Sequence, residues 1–263
     1  MASKLFKKLS KRDRNLVFFQ ACHGNNLDEV NDCLSRGCDV NTKGDWYGSQ
    51  WTGLMVACER GNPAIVSRLV QVPGLDINYQ DEKYGDNAAH GASLHGHTEC
   101  LRILAETGRV DWNQREKYGR TPLYLAIWYR HPDIVDIITH QPNIDYHVKS
   151  TRGYTLAQAA VWKGGIKCVE TLANKDSFDG WNFPLTGIKR TNGNCNCDHC
   201  AMGCSTLDGD TPVMLALKQE KSEIVKILLR CPRVDLSCRD KDGWSLVFRA
   251  IQKKKIGDKI KQR

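Results

Sequence analysis

Apolar residues along this chain fall in short bursts at helical spacing, separated by polar turns. The clearest burst runs from Gly119 to His147. Leu123, Ala126 and Ile127 define one helical face, and Ile134, Val135, Ile137 and Ile138 define a second. Thr121-Pro122 opens the first helix, with a hydroxyl to cap it and a ring that pre-sets φ at the first helical position. Arg130-His131-Pro132 separates the two helices, and Asn143-Ile144-Asp145-Tyr146-His147 returns the chain to a polar loop. Two such short helices cannot bury their apolar faces alone, so the stretch predicts neighbours of the same build.

The neighbours are present. Equivalent stretches begin 34 residues earlier at Gly85 and 34 later at Gly153, with further copies from Gln50 and Gly209 and weaker ones from Leu16 and Gly243. Loop aspartates keep the same beat: Asp39, Asp76, Asp111, Asp145, Asp179 and Asp235 are separated by 37, 35, 34, 34 and 56 residues. The last interval is one normal repeat plus 22 residues, placed between Asp179 and Gly209.

On these residues the chain resembles the ankyrin repeat proteins. The matches are Gly119-x-Thr121-Pro122-Leu123 with Ala126, Gly209-x-Thr211-Pro212 with Ala216, and Gly96-His97, Val40-Asn41, Ile77-Asn78 and Trp112-Asn113. The resemblance spans about residues 16 to 252, as six full repeats and a seventh partial one. It implies an all-α solenoid of helix-turn-helix repeats joined by β-hairpin fingers. Residues 1–14 would form a basic lead, 15–252 the array and 253–263 a basic tail. The 22 extra residues would enlarge one finger, at about 182–208, and leave the helix stack intact. Thr52-Gly53, Asn87-Ala88, Thr155-Leu156 and Ser245-Leu246 lack the helix-opening proline, which predicts weaker helix starts there. Only His90 keeps the histidine that the family uses structurally, its ring bonding neighbouring loops.

Charge changes the picture little once it is located. The net charge is +8, but residues 1–15 and 250–263 carry +5 each, which leaves the body at −2. Basic ends on a near-neutral solenoid do not make a groove that tracks a phosphate backbone, so nucleic acid is not the expected partner. They read as solubilising caps, with an import patch at Lys253-Lys254-Lys255 or attraction to anionic surfaces as alternatives. No apolar run is long enough to span a membrane. The first residues hold no apolar leader, Ala2 excludes myristoylation, and no Asn-x-Ser/Thr acceptor occurs. An intracellular location is expected, cytoplasmic with the nucleus allowed, and so is a monomer.

Twelve cysteines need an account. Cys22, Cys33, Cys58, Cys100 and Cys168 sit on predicted helices. Cys100 and Cys168 take the place held by Ile65 and Ile134, as small buried hydrophobes. Cys38, Cys231 and Cys238 fall at helix ends or loops as free thiols. Cys195, Cys197, Cys200 and Cys204 differ, because they crowd into the insertion with His199 among them. Cys197-x-x-Cys200 suits two ligands of one tetrahedral zinc, and a metal would supply folding energy that the insertion cannot draw from a core. The tight Cys195-x-Cys197 bite and the lack of a distant second pair favour free thiols on a projecting finger; a redox disulfide is the third alternative. No cofactor is expected beyond that structural zinc.

No nucleophile elbow, phosphate-binding glycine loop or zinc-hydrolase helix occurs, and the recurring aspartates are loop formers that bond their own backbone. The chain is therefore expected not to be an enzyme. In the resembled family, partners meet the residues just after the first helix's Ala-x and those flanking the finger glycine. Here these positions give Lys117, Tyr118, Arg120, Trp128, Tyr129, Trp162 and Lys163, an aromatic and basic strip over repeats three to five. Trp128 and Trp162 hold equivalent places and should lie about one repeat apart. The expected function is a non-catalytic scaffold that binds a protein or peptide partner on the concave face and fingers. The alternative is a nuclear or nucleic-acid-associated regulator that uses the basic tails and a zinc-bound finger.

Overall fold

The computed structural model describes residues 10–184, 209–240 and 242–251. Within them the helices come in antiparallel pairs: α1 (Lys11–His23) with α2 (Leu27–Ser35), α3 (Gly53–Arg60) with α4 (Pro63–Val70), α5 (Ala88–His95) with α6 (Thr98–Glu106), and α7 (Pro122–Trp128) with α8 (Pro132–Thr139). The next pair is α9 (Leu156–Ala159), continued by a π turn (Ala160–Gly164), with α10 (Gly165–Ala173); then come α11 (Pro212–Lys218) and α12 (Ser222–Arg230). Residues 246–251 begin another helix. First helices pack on first helices and second on second along the array. The core lies between the two layers, where Leu54, Ile65, Leu101, Leu123, Ile134 and Leu172 are all buried. The apolar residues named from the Gly119–His147 pattern supply this core, apart from the half-buried Ile137.

The helices without the opening proline are nonetheless capped. Thr52 accepts from the Met55 amide at 3.4 Å, Asn87 from His90 at 2.9 Å and Thr155 from Gln158 at 3.3 Å. A side-chain cap of this kind contributes about 1 kcal/mol, so the missing proline costs these starts little.

Two ladders lock successive repeats. In the first, a turn residue reaches back to the preceding first helix and satisfies its terminal carbonyls: Asn62 donates to Cys22 O at 3.1 Å, His97 to Glu59 O at 2.9 Å and His131 to Leu94 O at 3.2 Å. The second is built on asparagine. Asn41, Asn78 and Asn113 each accept the amide of the next repeat's loop aspartate and donate to a carbonyl two residues before it. Asn182 does the same to Asp235 N at 2.7 Å and Arg233 O at 2.8 Å, and α10 packs on α12. The repeats on either side of the insertion therefore stack directly.

The fingers are less strand-like than expected. Regular pairing occurs, among the described residues, only in the first, where β1 (Lys43–Trp46) and β2 (Ser49–Thr52) form an antiparallel hairpin. Later fingers keep single bridges, Lys149 with Thr155 and Arg239 with Ser245. No helix among the described residues is long and apolar enough to cross a membrane.

Candidate functional site

Each later finger is wrapped around a buried acceptor at its base, which explains the scarcity of strand. Asp81 takes the amides of Lys83, Tyr84 and Asp86, at 3.2, 2.9 and 2.7 Å. Glu116 takes those of Tyr118 at 2.9 Å and Arg120 at 3.0 Å. Asp240 takes those of Asp242 and Trp244, and Ser150 takes that of Tyr154 at 3.3 Å. An acceptor that binds two or three amides makes a tight turn, so few donors remain for a ladder across the finger. Consecutive fingers are also tied by backbone, Lys117 N to Tyr84 O at 2.7 Å and Thr151 N to Tyr118 O at 2.8 Å.

The third finger's base adjoins a charged, largely buried cluster. His90 is enclosed, with Nδ1 2.7 Å from Asn87 Oδ1 and Nε2 3.1 Å from Arg120 O. Burial pushes its pKa down to about 4. Burial raises Asp86 to about 7, and the nearby Glu116 and Asp81 carboxylates add to that. His90 thus serves as a neutral structural bridge, as the family resemblance implied.

Above these bases, a cleft of about 270 Å³ opens between finger 116–120 and finger 150–154. Tyr118, Arg120, Trp128 and Tyr129 line it, four of the seven residues singled out from sequence, together with Tyr124, Arg152 and Tyr154. Tyr118 and Tyr129 are about half exposed, at 50% and 45%. Tyr124 is buried and stacks nearly parallel to Trp128, centroids 5.9 Å apart. Burial pushes the Tyr124 phenol up to about 12. Arg120 bonds Glu116 through Nε at 2.8 Å, and its guanidinium lies 5.0 Å from the centre of the Tyr118 ring.

The other three residues fall beside the cleft. Lys163 places Nζ 5.8 Å from the Trp128 ring centre, an inter-repeat contact. Trp162 meets Tyr154 edge-on at 5.7 Å. Lys117 points the other way, its Nζ 5.9 Å from the Tyr84 ring. Trp128 and Trp162 are half-buried and packed against the core, so each ring serves packing as well as surface. The row closes at both ends. Arg60 is held by His23 at 2.6 Å and lies over Trp46, and Lys218 pairs with the buried Asp210. The recurring aspartates do bond their own loops: Asp39, Asp111, Asp145 and Asp235 each accept the amide two residues on.

Among the described residues no group of three or more His, Cys, Asp or Glu side chains could hold a metal ion. Cys195, Cys197, Cys200 and Cys204 lie outside the described residues, as do most of the basic lead and tail. Cys231 is a free thiol at the C-terminal end of α12, as expected; it is buried, and its Sγ lies 3.9 Å from Ala173 O.

Sequence reasoning missed the finger-base acceptors. A signal existed: Glu116, Ser150 and Asp240 each stand three residues before a finger glycine, and Asp81 stands four before Gly85.

A stack of helix pairs joined by fingers is the architecture of one repeat class, and family models confirm it. The model for ankyrin repeats in three copies matches residues 18–108 and 54–150, and the single ankyrin repeat model matches 208–241. The chain belongs to the ankyrin repeat family, whose members are protein–protein interaction modules. Among curated proteins, it is 43% identical over 61 residues to the mouse (Mus musculus) cortactin-binding protein 2, a stretch that is 23% of this chain and 4% of that protein. The sheep (Ovis aries) protein of the same name matches at 43% over 53 residues, 20% of this chain and 3% of the relative. The similarity therefore covers only a small part of those relatives.

Proposed function

We propose that the chain is a non-catalytic scaffold that captures a protein partner on the cleft between fingers 116–120 and 150–154 and on the rings around it. One observation carries this reading. Arg120, Arg152, Trp128 and the half-exposed Tyr118 and Tyr129 line this one cleft. Aromatic and arginine side chains dominate interface energetics because they bury large areas and still offer donors. Matches of 53 and 61 residues follow the shared repeat frame, so the partner that the relatives' name gives is not carried to this chain. We propose an intracellular monomer.

The test is partner capture from cell extract. Trp128→Ala with Trp162→Ala should weaken capture by about 1 kcal/mol or more each. Both rings touch the core, so Tyr118→Ala with Tyr129→Ala is the companion variant, and circular dichroism must show native helicity in each. Unchanged capture by both well-folded double variants would sink the reading. The second reading, a regulator using the basic ends, predicts binding that is lost on deleting residues 1–14 and 253–263 and that falls steeply with salt. The cysteine-rich insertion keeps its zinc proposal on spacing alone.

A further inference from the structure

We infer that the cleft between fingers 116–120 and 150–154 takes a proline-rich segment of the partner, held in the extended left-handed polyproline conformation. This rests on the function proposed above and names the chemistry of its partner. Two features of the cleft support it: its walls are aromatic, and its polar groups can donate while the backbone acceptors around them are spent.

The walls are rings. Tyr118, Tyr124, Trp128, Tyr129 and Tyr154 all line the cleft. Tyr124 and Trp128 stack nearly parallel as one apolar wall, and Tyr118 and Tyr129 stand half exposed beside it. Such walls suit a ligand that is itself rigid and ringed, because it loses little conformational freedom on docking. The space is also small. One turn of α-helix, about 10–12 Å across and about 5.4 Å high, fills roughly 400–600 Å³. The cleft holds about 270 Å³, which admits a short extended segment and not a helix.

Hydrogen bonding then selects proline over an added strand. A strand needs both donors and acceptors along the edge it joins. Here the carbonyls of Tyr118, Arg120, Ser150 and Tyr154 already accept the amides of Thr151, Glu116, Gly153 and Ser150, at 2.8, 3.0, 2.8 and 3.0 Å. The donors are not spent. Among the described residues, the Tyr118 and Tyr129 hydroxyls and the two terminal nitrogens of Arg120 make no hydrogen bond. Glu116 neutralises Arg120 through its Nε, so those nitrogens call for neutral acceptors and not for an anion. A proline residue has no N–H and keeps its carbonyl free in the polyproline conformation, so it accepts without donating.

The probe is hexaproline, acetylated and amidated so that it carries no charge. Its controls are capped peptides of the same length: alternating glycine and serine, which is flexible and keeps its donors, and alternating threonine and valine, which favours a strand. Binding to the full chain is followed by NMR at the Trp128 indole N–H. Hexaproline should shift it saturably and bind at least about fivefold more tightly than either control. Tyr118→Phe with Tyr129→Phe keeps both rings and removes two hydroxyl donors. It should weaken hexaproline by about tenfold, as expected for two neutral hydrogen bonds, with native helicity by circular dichroism. No binding of hexaproline, a control that binds as tightly, or wild-type affinity in the phenylalanine pair would each overturn the proposal. The two proposals also fail separately. If Tyr118→Ala with Tyr129→Ala abolishes partner capture while hexaproline neither binds nor competes with the partner, the proline reading fails and the surface stands. If hexaproline binds as expected while capture ignores both alanine pairs, the cleft takes proline but is not where the captured partner docks, and the function proposed above fails.

Discussion

His90 and Asp86 should impose opposite pH dependences on stability, so removing either one exposes the other. Burial lowers the His90 pKa from 6.5 to about 4 in the folded chain. Between those values the unfolded chain holds a proton that the folded chain lacks, so stability rises with pH. The His90 contribution is complete above about 6.5 and is lost as the pH falls towards 4. Asp86 moves the other way, from 3.8 to about 7, chiefly by burial and then by the Glu116 and Asp81 charges. Between those values the folded chain holds the extra proton, so stability falls as pH rises. Each slope has a limit of about 1.4 kcal/mol per pH unit, and the two nearly cancel over about pH 4 to 6.5.

Asp86→Asn should therefore gain roughly 2.5 kcal/mol on going from about pH 4.5 to 6.5, and His90→Gln should lose roughly as much, which opens a divergence of roughly 5 kcal/mol. Glutamine is a conservative choice at His90, because Gln158 holds the matching place in α9 and accepts from Thr155 N at 2.9 Å. Background titration from the other carboxylates is common to both variants and drops out of their difference. The assay is urea unfolding across pH, with circular dichroism and tryptophan fluorescence required to coincide, since a solenoid can unfold in parts. Parallel stability curves for the two variants would refute the cluster's role.

Other expectations are simpler. Asn113→Ala removes a donor to Asn143 O and an acceptor for Asp145 N, and should cost about 1–2 kcal/mol in urea unfolding. Asn182→Ala should cost a similar amount, and no loss there would show that the repeats flanking the insertion do not dock through it. Gly96→Ala should lower the melting temperature more than Gly74→Ala. Both have φ of 79°, but a Cβ at Gly96 meets the His131 ring at 2.5 Å, whereas one at Gly74 meets nothing within 4 Å. If the insertion binds zinc, purified protein should carry about one ion per chain. Content should fall well below that in Cys197→Ser with Cys200→Ser, and metal-free wild type would end the proposal.

The helix stack was legible because burial writes the same demand into every repeat: Leu123 and Ile134 recur as types at one period, and both are buried. The helix start at Thr121 was legible from its hydroxyl and the following proline. The starts at Thr52, Asn87 and Thr155, expected to be weaker without proline, are capped by those side chains, because a cap needs only a local acceptor. The turns were legible only in part. Arg130 and Glu220 adopt φ of 66° and 59°, positions where Gly61 and Gly96 sit in other repeats. Nothing in a lone arginine or glutamate announces a left-handed residue; the bonds at the turn impose it. In the fifth repeat Gly164-Gly165 did carry a signal. The left-handed residue there is Gly165, one place later than Arg130, and the π turn of Ala160–Gly164 absorbs the shift.

The site divides along the same line. Position within the repeat located Tyr118, Arg120, Trp128 and Tyr129, because residues that vary between repeats are released from the duty of building the stack. Which cations remain available was hidden, because that depends on where a second side chain ends up. Arg60 and Lys218 occupy places equivalent to Tyr129 and Trp128, yet one is spent on His23 and the other on Asp210. Glu116 reads in sequence as one more solvated charge beside Lys117. Folded, it becomes the post that the finger winds around and the anchor of the Arg120 guanidinium. A pattern of types can predict a surface; only the buried partner of each charge decides which part of that surface is left to bind.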